Sequence, residues 1–350
     1  MKKYLALILA LIMVFSLAAC GQKTEAPAEA PAAAETPAEA PAAETKEAYK
    51  IGISMCDLTT EFHLGTLAAM EAKCDELGLD YVTVVANADA NTQNEQVNDL
   101  IARGCQAIII DAVDSAAIDM AVAACNDAGI PVIMNNRATS GSAVPSVQVL
   151  SSNEEMAYAE MKWLIGYCKE NNIKFENCCM LIGSLGDQGA VERYNGFMKA
   201  INEDPGYVTV SNEISTDWNI EIALAGLQNA FKSNPNIDLI VTPSDGFFST
   251  IQSALEEAGR WAPMGEEKHC AIISFDGDAD GMRMMRDGYN WADAAQNATA
   301  TGESCVEWAL YFLEGGEPLE EINQLDPGVI CTLDNFDEVK ESVWGWALVD

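Results

Sequence analysis

Apolar residues along the chain form two kinds of segment that alternate with each other. Short continuous runs such as 107–110 are typical of strands covered on both faces, whereas stretches such as 64–77 carry apolar residues at helical spacing and end at a glycine. The predicted strands are 49–55, 81–85, 107–110, 131–134, 147–150, 178–182, 207–210, 237–241, 271–275 and 292–295. The predicted helices are 64–77, one through 97–101, 116–128, 154–170, 190–201, 220–231, 248–258 and 302–313.

This alternation predicts two successive series of strands and helices, the first closing with the strand 147–150 and the second opening with the helix 154–170. Continuous apolar strands favour parallel pairing, with helices on both faces of the sheet. The sequence therefore predicts an α/β protein with two doubly wound parallel-sheet lobes. In sheets of this kind, ligands bind beyond the carboxyl ends of the strands.

Polar side chains follow the predicted strands at that edge. They are Asp57, Asp111, Asn135, Asn136, Arg137, Ser184, Thr242, Ser244, Asp245, Asp276 and Gln296. Carboxylates, amides and a guanidinium hydrogen-bond neighbouring hydroxyl groups, and aromatic faces such as those of Phe62 or Trp218 cover the C–H side of a sugar ring. A single Asx residue after a strand can equally be a helix cap or a turn former. The recurrence of polar groups at seven strand ends favours a polyhydroxylated ligand.

The first 47 residues differ in composition from the rest. A lysine pair precedes an apolar run that ends at Leu17, which is too short for a membrane span and predicts a signal peptide at 1–19. The sequence Leu17-Ala18-Ala19-Cys20 resembles the lipobox of bacterial lipoproteins, which implies lipidation of Cys20. Residues 20–47 are predicted to be this lipidated cysteine and a disordered Ala/Pro/Glu linker. The protein is therefore expected outside the cytoplasm, lipid-anchored to the outer face of the cell membrane or periplasmic.

Charge excludes some partners. The 350 residues carry 19 Lys and Arg against 54 Asp and Glu, which gives a formal net charge of −35. This charge repels phosphates and anionic headgroups, so no nucleic-acid partner is expected. Small neutral or cationic ligands and basic protein partners stay compatible with it.

Four phrases occur in a fixed order in the folded part. They are Glu-Gln-Val-Asn-Asp-Leu-Ile-Ala-Arg-Gly at 95–104, Asp-Ala-Gly-Ile-Pro-Val-Ile at 127–133, Glu-Arg-Tyr-Asn-Gly-Phe at 192–197 and Phe-Asp-Gly at 275–277. Together, and behind a lipobox, they resemble the type I periplasmic sugar-binding proteins of ABC transporters, with a pattern closest to the ribose-binding group. The resemblance runs from about Tyr49 to the end of the chain.

The resemblance implies two lobes joined by a three-segment hinge. It assigns 48–150 plus 297–326 to the N-terminal lobe and 151–296 plus 327–350 to the C-terminal lobe. The implied function is to capture a monosaccharide or polyol between the lobes, to close on it as a hinged clamp and to deliver it to an ABC permease. A monomer without a cofactor is expected.

The resemblance also implies the ligand contacts, each at a matching position of this sequence. They are Thr60, Phe62, His63, Asn136, Arg137, Trp218, Ser244, Asp276 and Gln296. Arg137 and Asp276 are expected to anchor hydroxyl groups, and Phe62 and Trp218 to stack on the sugar ring.

Several of these positions depart from the ribose-binding pattern. His63, Asn136 and Ser244 replace an aromatic residue, an aspartate and an asparagine, and Val191 stands where that group has a ligand-binding arginine. The departures favour a sugar or polyol whose hydroxyl pattern differs from that of ribose.

Few residues in the sequence indicate a metal site. The chain has only two histidines, His63 and His269, and no His-Glu-x-x-His run, so no metal site is predicted, and His269 is expected to be a solvated loop residue. The segment 276–287 imitates an EF-hand calcium loop, but it contains two arginines and has no entering helix, so a strand end with helix caps is the alternative. Whether calcium binds there stays open.

Eleven cysteines are many for a secreted chain. Cys20 is the expected lipidation site. Most of the other cysteines fall in predicted helices and strands, where a free cysteine behaves as a small buried hydrophobic residue. Cys178 and Cys179 are adjacent on a strand and should point to opposite faces. Pairing among the cysteines is left open.

Two other classes of function compete with transport. A lipid-anchored receptor that presents the sugar to a chemoreceptor or sensor kinase would share every residue discussed above. An enzyme is not predicted, because no nucleophile, histidine and acid set emerges from the spacing.

Overall fold

The computed structural model describes residues 48–349, so the predicted signal peptide, Cys20 and the linker lie outside the described residues. The chain begins with β1 (Lys50–Met55), α1 (Glu61–Leu77), β2 (Asp80–Val85), α2 (Ala90–Ala102), β3 (Ala107–Asp111), α3 (Asp119–Asp127), β4 (Val132–Asn135) and β5 (Val147–Ser151). It continues with α4 (Asn153–Asn171), β6 (Phe175–Ile182), α5 (Gln188–Glu203), β7 (Val208–Ser215), α6 (Ile220–Ser233), β8 (Leu239–Val241), α7 (Phe248–Glu257), β9 (Ala271–Phe275), α8 (Ala279–Arg286) and β10 (Asn290–Ala295). It ends with α9 (Ala298–Leu313), β11 (Asn323–Asp326), β12 (Val329–Thr332) and α10 (Phe336–Val339).

The predicted strands correspond to β1 through β10, and the predicted helices to α1 through α7 and α9. The prediction omits α8, β11, β12 and α10, each of which has eight residues or fewer. In the calcium-like segment, Asp278 caps α8 by accepting a hydrogen bond from the Gly281 N–H at 3.0 Å. This segment is therefore a strand end followed by a capped helix, which is the alternative that the sequence left open.

The strands form two six-stranded sheets, in the orders β11-β5-β4-β3-β1-β2 and β12-β10-β9-β8-β6-β7. Every pairing in the first sheet is parallel. In the second sheet, β12 is antiparallel to β10, with Val329 opposite Ala295, which is an exception to the predicted parallel pairing. Strand β10 ends at the hinge, whereas β12 enters the second lobe from the hinge directly after residues 327–328, so the two strands run in opposite directions.

The chain passes three times from one sheet to the other, which confirms a two-lobed fold with a three-segment hinge. The passages lie between β5 and α4, between β10 and α9, and between β11 and β12. Helix α9 returns to the first lobe, where Cys305 and Val306 pack in one core cluster with Leu67 and Met70 of α1.

Each lobe has apolar clusters on both faces of its sheet, as expected for parallel strands covered by helices. Cys178 packs in one cluster of the second lobe and Cys179 in another, which agrees with the prediction of opposite faces. All ten cysteines of the described residues are buried free thiols. Among residues 48–349, no helix combines the length and apolar composition that crossing a membrane requires.

Helices α4 and α5 of the second lobe pack at very close range because of Gly196. A Cβ atom added at Gly196 would lie 2.3 Å from the backbone oxygen of Glu154 and 2.9 Å from the Cβ of Ala157. The backbone oxygen cannot move without shifting α4. Gly196 is therefore the residue that sets the spacing of this helix pair, which covers one face of the second sheet.

We predict that Gly196→Ala destabilises the protein by about 1–3 kcal/mol, because overpacking forces α4 and α5 apart. The matched control is Gly166→Ala within α4, where an added Cβ meets no atom within 4 Å. There the loss of backbone freedom in the unfolded chain should stabilise by about 0.4–1 kcal/mol. Urea unfolding of the three proteins measures both changes. Equal effects at the two positions would contradict the packing argument.

Candidate ligand-binding site

One cavity between the two lobes collects the residues that the sequence singles out. Its empty volume is about 380 Å³, which includes open solvent at the mouth. The lining residues are Thr60, Phe62, His63, Asn136, Arg137, Asp187, Gly189, Arg193, Trp218, Ser244, Asp276 and Gln296. All nine predicted contacts are in this set, and their role in binding stays a prediction.

The first lobe contributes the beginning of α1 to this cavity. The Thr60 hydroxyl caps the helix by accepting a hydrogen bond from the backbone N–H of His63 at 3.3 Å. Helix α1 therefore starts at Glu61, three residues before the predicted start at residue 64, and Phe62 and His63 lie in its first turn. Capping fixes the direction in which these two side chains leave the helix.

Three lining residues hold a backbone conformation that is rare for residues other than glycine. The φ angles are 61° at Asn136, 58° at Trp218 and 117° at Asp276. Each residue lies shortly after a strand, where the turn redirects its side chain. Positive φ costs of the order of 1–3 kcal/mol per residue and is concentrated at functional sites, so these turns mark the cavity as the functional region of the cleft.

Asp276 is the centre of the polar wall in the second lobe. Its Oδ2 accepts a hydrogen bond from the Ser244 hydroxyl at 2.6 Å, and its Oδ1 accepts from Gln296 Nε2 at 2.7 Å. Arg193 donates to the same Oδ1 from an Nη at 3.1 Å. Three predicted contacts, Ser244, Asp276 and Gln296, therefore form one hydrogen-bonded group.

Arg193 is a lining residue that the sequence analysis missed. It is 6% exposed, donates to Asn153 at 2.8 Å and to the backbone oxygen of Pro243 at 2.6 Å, and lies with its guanidinium over the Phe275 ring. The indication available in the sequence is that Arg193 lies within 192–197, one of the four segments that carry the family resemblance. Val191 is not among the lining residues. The cationic group on α5 is therefore supplied by Arg193.

Arg137 connects the two lobes. Its Nε lies 2.9 Å from Oδ2 of Asp187, the N-cap of α5, and both side chains are buried. The approach is an ion pair whose angle does not meet hydrogen-bond criteria, so the Arg137 Nε has no hydrogen-bond partner within the described residues. Trp218 also donates to Asp187, at 3.1 Å from Nε1. The turn 183–189 between β6 and α5 lines the cleft through Asp187 and Gly189.

Further contacts join the lobes around the cavity. The Ser115 N–H donates to the Gly186 oxygen at 2.9 Å, and the Gln188 N–H donates to the Ser115 hydroxyl at 3.2 Å. On another side, the Ala279 N–H donates to Glu61 at 3.1 Å. These bonds hold the lobes in a closed arrangement.

His63 has protein partners at both ring nitrogens. Nδ1 lies 3.2 Å from Asp57, and Nε2 lies 3.6 Å from the Cys56 sulfur and from Asp111. Burial alone would lower the pKa of His63, but the Cys56 sulfur, the hydrogen bond to Asp57 and the Asp111 carboxyl group outweigh it and raise the pKa well above 6.5. His63 therefore lines the cavity with its ring face or carbon edge.

The other histidine, His269, differs from the expectation of a solvated loop residue. Its ring stacks on Trp291 with centroids 5.8 Å apart, accepts a hydrogen bond from the Trp291 Nε1 at 2.8 Å and lies 2.7 Å from the Ala262 oxygen. Burial lowers its pKa. His269 is a packing residue distant from the predicted contacts.

A second opening adjoins the cavity. It shares Thr60, Trp218 and Ser244 with the cavity and extends over the loops that precede α2 and α6. We refer to the set lined by residues 57–60, 87–88, 217–221, 244 and 246–247 as the outer groove. It offers space for ligand groups outside the cavity.

Buried carboxyl groups lie behind Asp276 in the second lobe. Asp293 accepts hydrogen bonds from the Gly277 N–H at 3.0 Å and from the Ser274 hydroxyl at 3.2 Å, and Asp245 accepts from the Asp278 N–H at 3.0 Å. Burial, together with the neighbouring carboxylates, raises the pKa of Asp293 to about 7 and that of Asp245 well above its ordinary value. We refer to Asp245 and Asp293 as the carboxyl cluster. These groups therefore stay protonated at pH values at which surface aspartates are ionised.

Comparison with known proteins agrees with this architecture. The profile of the family described as "Periplasmic binding protein domain" matches residues 51–317. The ribose import binding protein of Bacillus subtilis (strain 168) is 27% identical over 270 residues, which cover 77% of this chain and 83% of that protein. The D-apiose import binding protein of Paraburkholderia graminis is 26% identical and covers 75% of this chain and 79% of its own length.

A solved structure gives the same result for the fold. An ABC transporter solute binding protein from Bacillus halodurans C-125, crystallised with myo-inositol, superposes with a TM-score of 0.74 at 24% identity, covering 84% of this chain and 97% of its own. The chain belongs to the periplasmic binding protein domain family, and the expectation of a type I periplasmic sugar-binding protein is confirmed.

We predict that the carboxyl cluster makes stability depend on pH. Between about pH 4 and 7 an unfolded aspartate is ionised while Asp293 keeps its proton, so the free energy of unfolding falls as pH rises, by up to about 1.4 kcal/mol per pH unit. Asp293→Asn should flatten this slope. Urea unfolding at several pH values measures it, with Asp127→Asn on the exposed end of α3 as the control. A slope that Asp293→Asn leaves unchanged would refute the assignment.

Proposed function

We propose that this chain is an extracytoplasmic solute-binding lipoprotein that captures a monosaccharide or polyol between its two lobes and delivers it to an ABC permease. The relatives named above are import binding proteins, which favours transport over the alternative of a sugar-sensing receptor. Binding without catalysis is the role of such proteins.

The observation that carries the proposal is the pairing of every cationic side chain in the cavity wall. Arg193 pairs with Asp276 at 3.1 Å, Arg137 with Asp187 at 2.9 Å, and His63 with Asp57 at 3.2 Å. A charged ligand would have to break such a pair or enter without a counter-charge, and both are costly in a buried site. The cavity therefore favours an uncharged ligand.

The wall is nevertheless rich in hydrogen-bonding groups. The Arg137 Nε is a buried donor without an acceptor, and Asn136, Thr60 and the Asp276 carboxylate add further donors and acceptors. Phe62 on the first lobe and Trp218 on the second supply aromatic surface for C–H groups. An uncharged molecule with several hydroxyl groups and one apolar ring face satisfies this combination.

The ligand class follows from the relatives named above and from the departures from the ribose-binding pattern. Two relatives are named for ribose and D-apiose, and one structural neighbour was crystallised with myo-inositol. Asn136 offers a neutral amide where the ribose-binding group has a carboxylate, so we propose a ligand other than ribose.

Capture and release then depend on the hinge. Ligand contacts from both lobes exist together only when the lobes are closed, so the ligand shifts the equilibrium towards the closed form. The Arg137 and Asp187 pair forms in the same movement. The permease would recognise the closed form and open it.

We propose that Cys20 carries the lipid anchor and that residues 20–47 separate the folded lobes from the membrane. The lipobox-like sequence and the Ala/Pro/Glu composition support this proposal. The lipid anchor and the linker would together hold the binding protein near its permease while leaving the lobes free to close.

A thermal-shift panel of pentoses, hexoses, inositols and amino acids on the chain from residue 46 onward tests the ligand class. An uncharged polyol should raise the melting temperature with concentration, and amino acids should not. For the best ligand, Asp276→Asn should weaken binding roughly 10- to 150-fold, because a charge-assisted hydrogen bond contributes about 1.5–3 kcal/mol. Calorimetry gives the dissociation constants.

The matched control is Lys232→Gln on the outer surface of α6 in the same lobe, which should bind like the wild type. Trp218→Ala is a second site variant, whose loss of stacking should weaken binding without removing a charge. The ligand assignment fails if an amino acid gives the largest shift or if Asp276→Asn binds as tightly as Lys232→Gln.

The anchor is tested separately by expressing the full chain and Cys20→Ala in a bacterium with lipoprotein processing. The wild type should fractionate with membranes and incorporate labelled palmitate, and Cys20→Ala should do neither. Cys56→Ala, which keeps Cys20, is the control for labelling. Membrane association of Cys20→Ala equal to that of the wild type would refute the anchor but leave the binding proposal intact.

A further inference from the structure

Three side chains of types that bind metals meet in the first lobe beside the cavity. Cys56 follows β1, His63 lies in α1 and Asp111 ends β3. Their donor atoms all lie within 4.8 Å of one another, and the residues are 1%, 5% and 0% exposed. Among residues 48–349, this is the group of His, Cys, Asp and Glu side chains whose spacing suits a metal ion. We refer to these three residues as the triad.

The separation between His63 and Asp111 is long for a hydrogen bond. The His63 Nε2 lies 3.6 Å from the Asp111 Oδ2, whereas hydrogen bonds between nitrogen and oxygen are about 2.7–3.2 Å. Nε2 also lies 3.6 Å from the Cys56 sulfur, a distance that suits a hydrogen bond to sulfur. Ligand atoms at about 2.0–2.3 Å from a tetrahedral zinc ion are about 3.3–3.6 Å from each other. Both separations are therefore compatible with donors around a shared cation, and the His63–Asp111 separation fits a shared cation better than a direct hydrogen bond.

Asp111 supplies an independent observation. Its Oδ1 is buried and has no hydrogen-bond partner among the described residues. The Oδ2 has only the Asn135 amide at 3.5 Å besides the histidine. A buried carboxylate with so few partners is costly. A cation held by the triad would satisfy it.

Asp57 orients the histidine of the triad. Its Oδ1 lies 3.2 Å from the His63 Nδ1 and is itself held by the Thr59 N–H at 2.9 Å and the Thr59 hydroxyl at 2.6 Å. With Nδ1 donating to Asp57, Nε2 faces Cys56 and Asp111, and release of the Nε2 proton on metal binding frees its lone pair for the ion. Histidines that bind metals almost always donate their other N–H to a carboxylate or carbonyl in this way.

We propose that Cys56, His63 and Asp111 bind one divalent transition-metal ion of the zinc class per chain. A thiolate, an imidazole and a carboxylate form the mixed donor set that zinc accepts, and the two negative ligands balance the charge of the ion. Three protein donors leave the fourth tetrahedral position for water or another ligand. The expectation that the chain has no metal site is revised by this proposal, which does not depend on the identity of the sugar.

Cobalt(II) is the probe that tests the site in the purified full-length chain. After treatment with a chelator, one equivalent of Co²⁺ should bind and produce both a thiolate-to-cobalt charge-transfer band and the strong visible bands of tetrahedral cobalt. Zinc should displace the cobalt and abolish the bands. Cys56→Ser should lose the charge-transfer band. Asp57→Asn should keep the band but bind about 10- to 100-fold more weakly, because Asp57 orients the histidine and also contacts the Cys56 sulfur without being a ligand itself.

The matched control is Cys74→Ser. It changes a buried cysteine that lies in α1 and outside the triad, and it should leave cobalt binding unchanged. Circular dichroism verifies that each variant is folded. If Cys56→Ser does not fold, the affinity of Asp57→Asn for cobalt is the measurement that tests the proposal. The proposal is overturned if the folded wild type binds no stoichiometric cobalt, if its spectrum lacks the thiolate band, or if Asp57→Asn binds as tightly as the wild type.

Discussion

Compensation of buried charge is the constraint on which the cleft depends. Arg193 with Asp276 is an ion pair within the second lobe, and Arg137 with Asp187 is a pair between the lobes. Removing one member of such a pair leaves a buried charge whose desolvation is not compensated. Because the second pair joins residues of different lobes, closure of the cleft also brings Arg137 and Asp187 together. A neutral ligand is the guest that leaves this balance undisturbed.

The two lobes present their side chains by the same local devices. Parallel strands end at one edge of each sheet, a turn follows, and a polar residue caps the next helix, as Thr60 does for α1 and Asp187 for α5. Residues with positive φ, such as Trp218 and Asp276, point side chains into the cavity from these turns. Rigid sheets behind the turns keep the polar groups in place while the hinge moves.

The strands and helices that contain long apolar runs can be predicted from the sequence. Short elements, and structure that depends on contacts between residues distant in the chain, cannot. Strands β1 to β10 are evident from periodicity, but β12 is not, and its antiparallel direction follows from its entry into the second lobe at the hinge, which periodicity does not encode. Family resemblance identified Asp276 and Arg137, whereas Arg193 and Asp187 act through partners that are distant in the chain. The triad likewise joins Cys56, His63 and Asp111, whose spacing follows no motif.

A crystal structure with the tightest-binding polyol tests the central claim most directly. The account predicts one ligand in the closed cavity, with hydroxyl groups within hydrogen-bond distance of the Arg137 Nε and the Asp276 carboxylate and a C–H face on Trp218, while both arginines keep their carboxylate partners. A ligand bound only in the outer groove, or one whose own charge replaces Asp187 or Asp276 as the partner of an arginine, would contradict it.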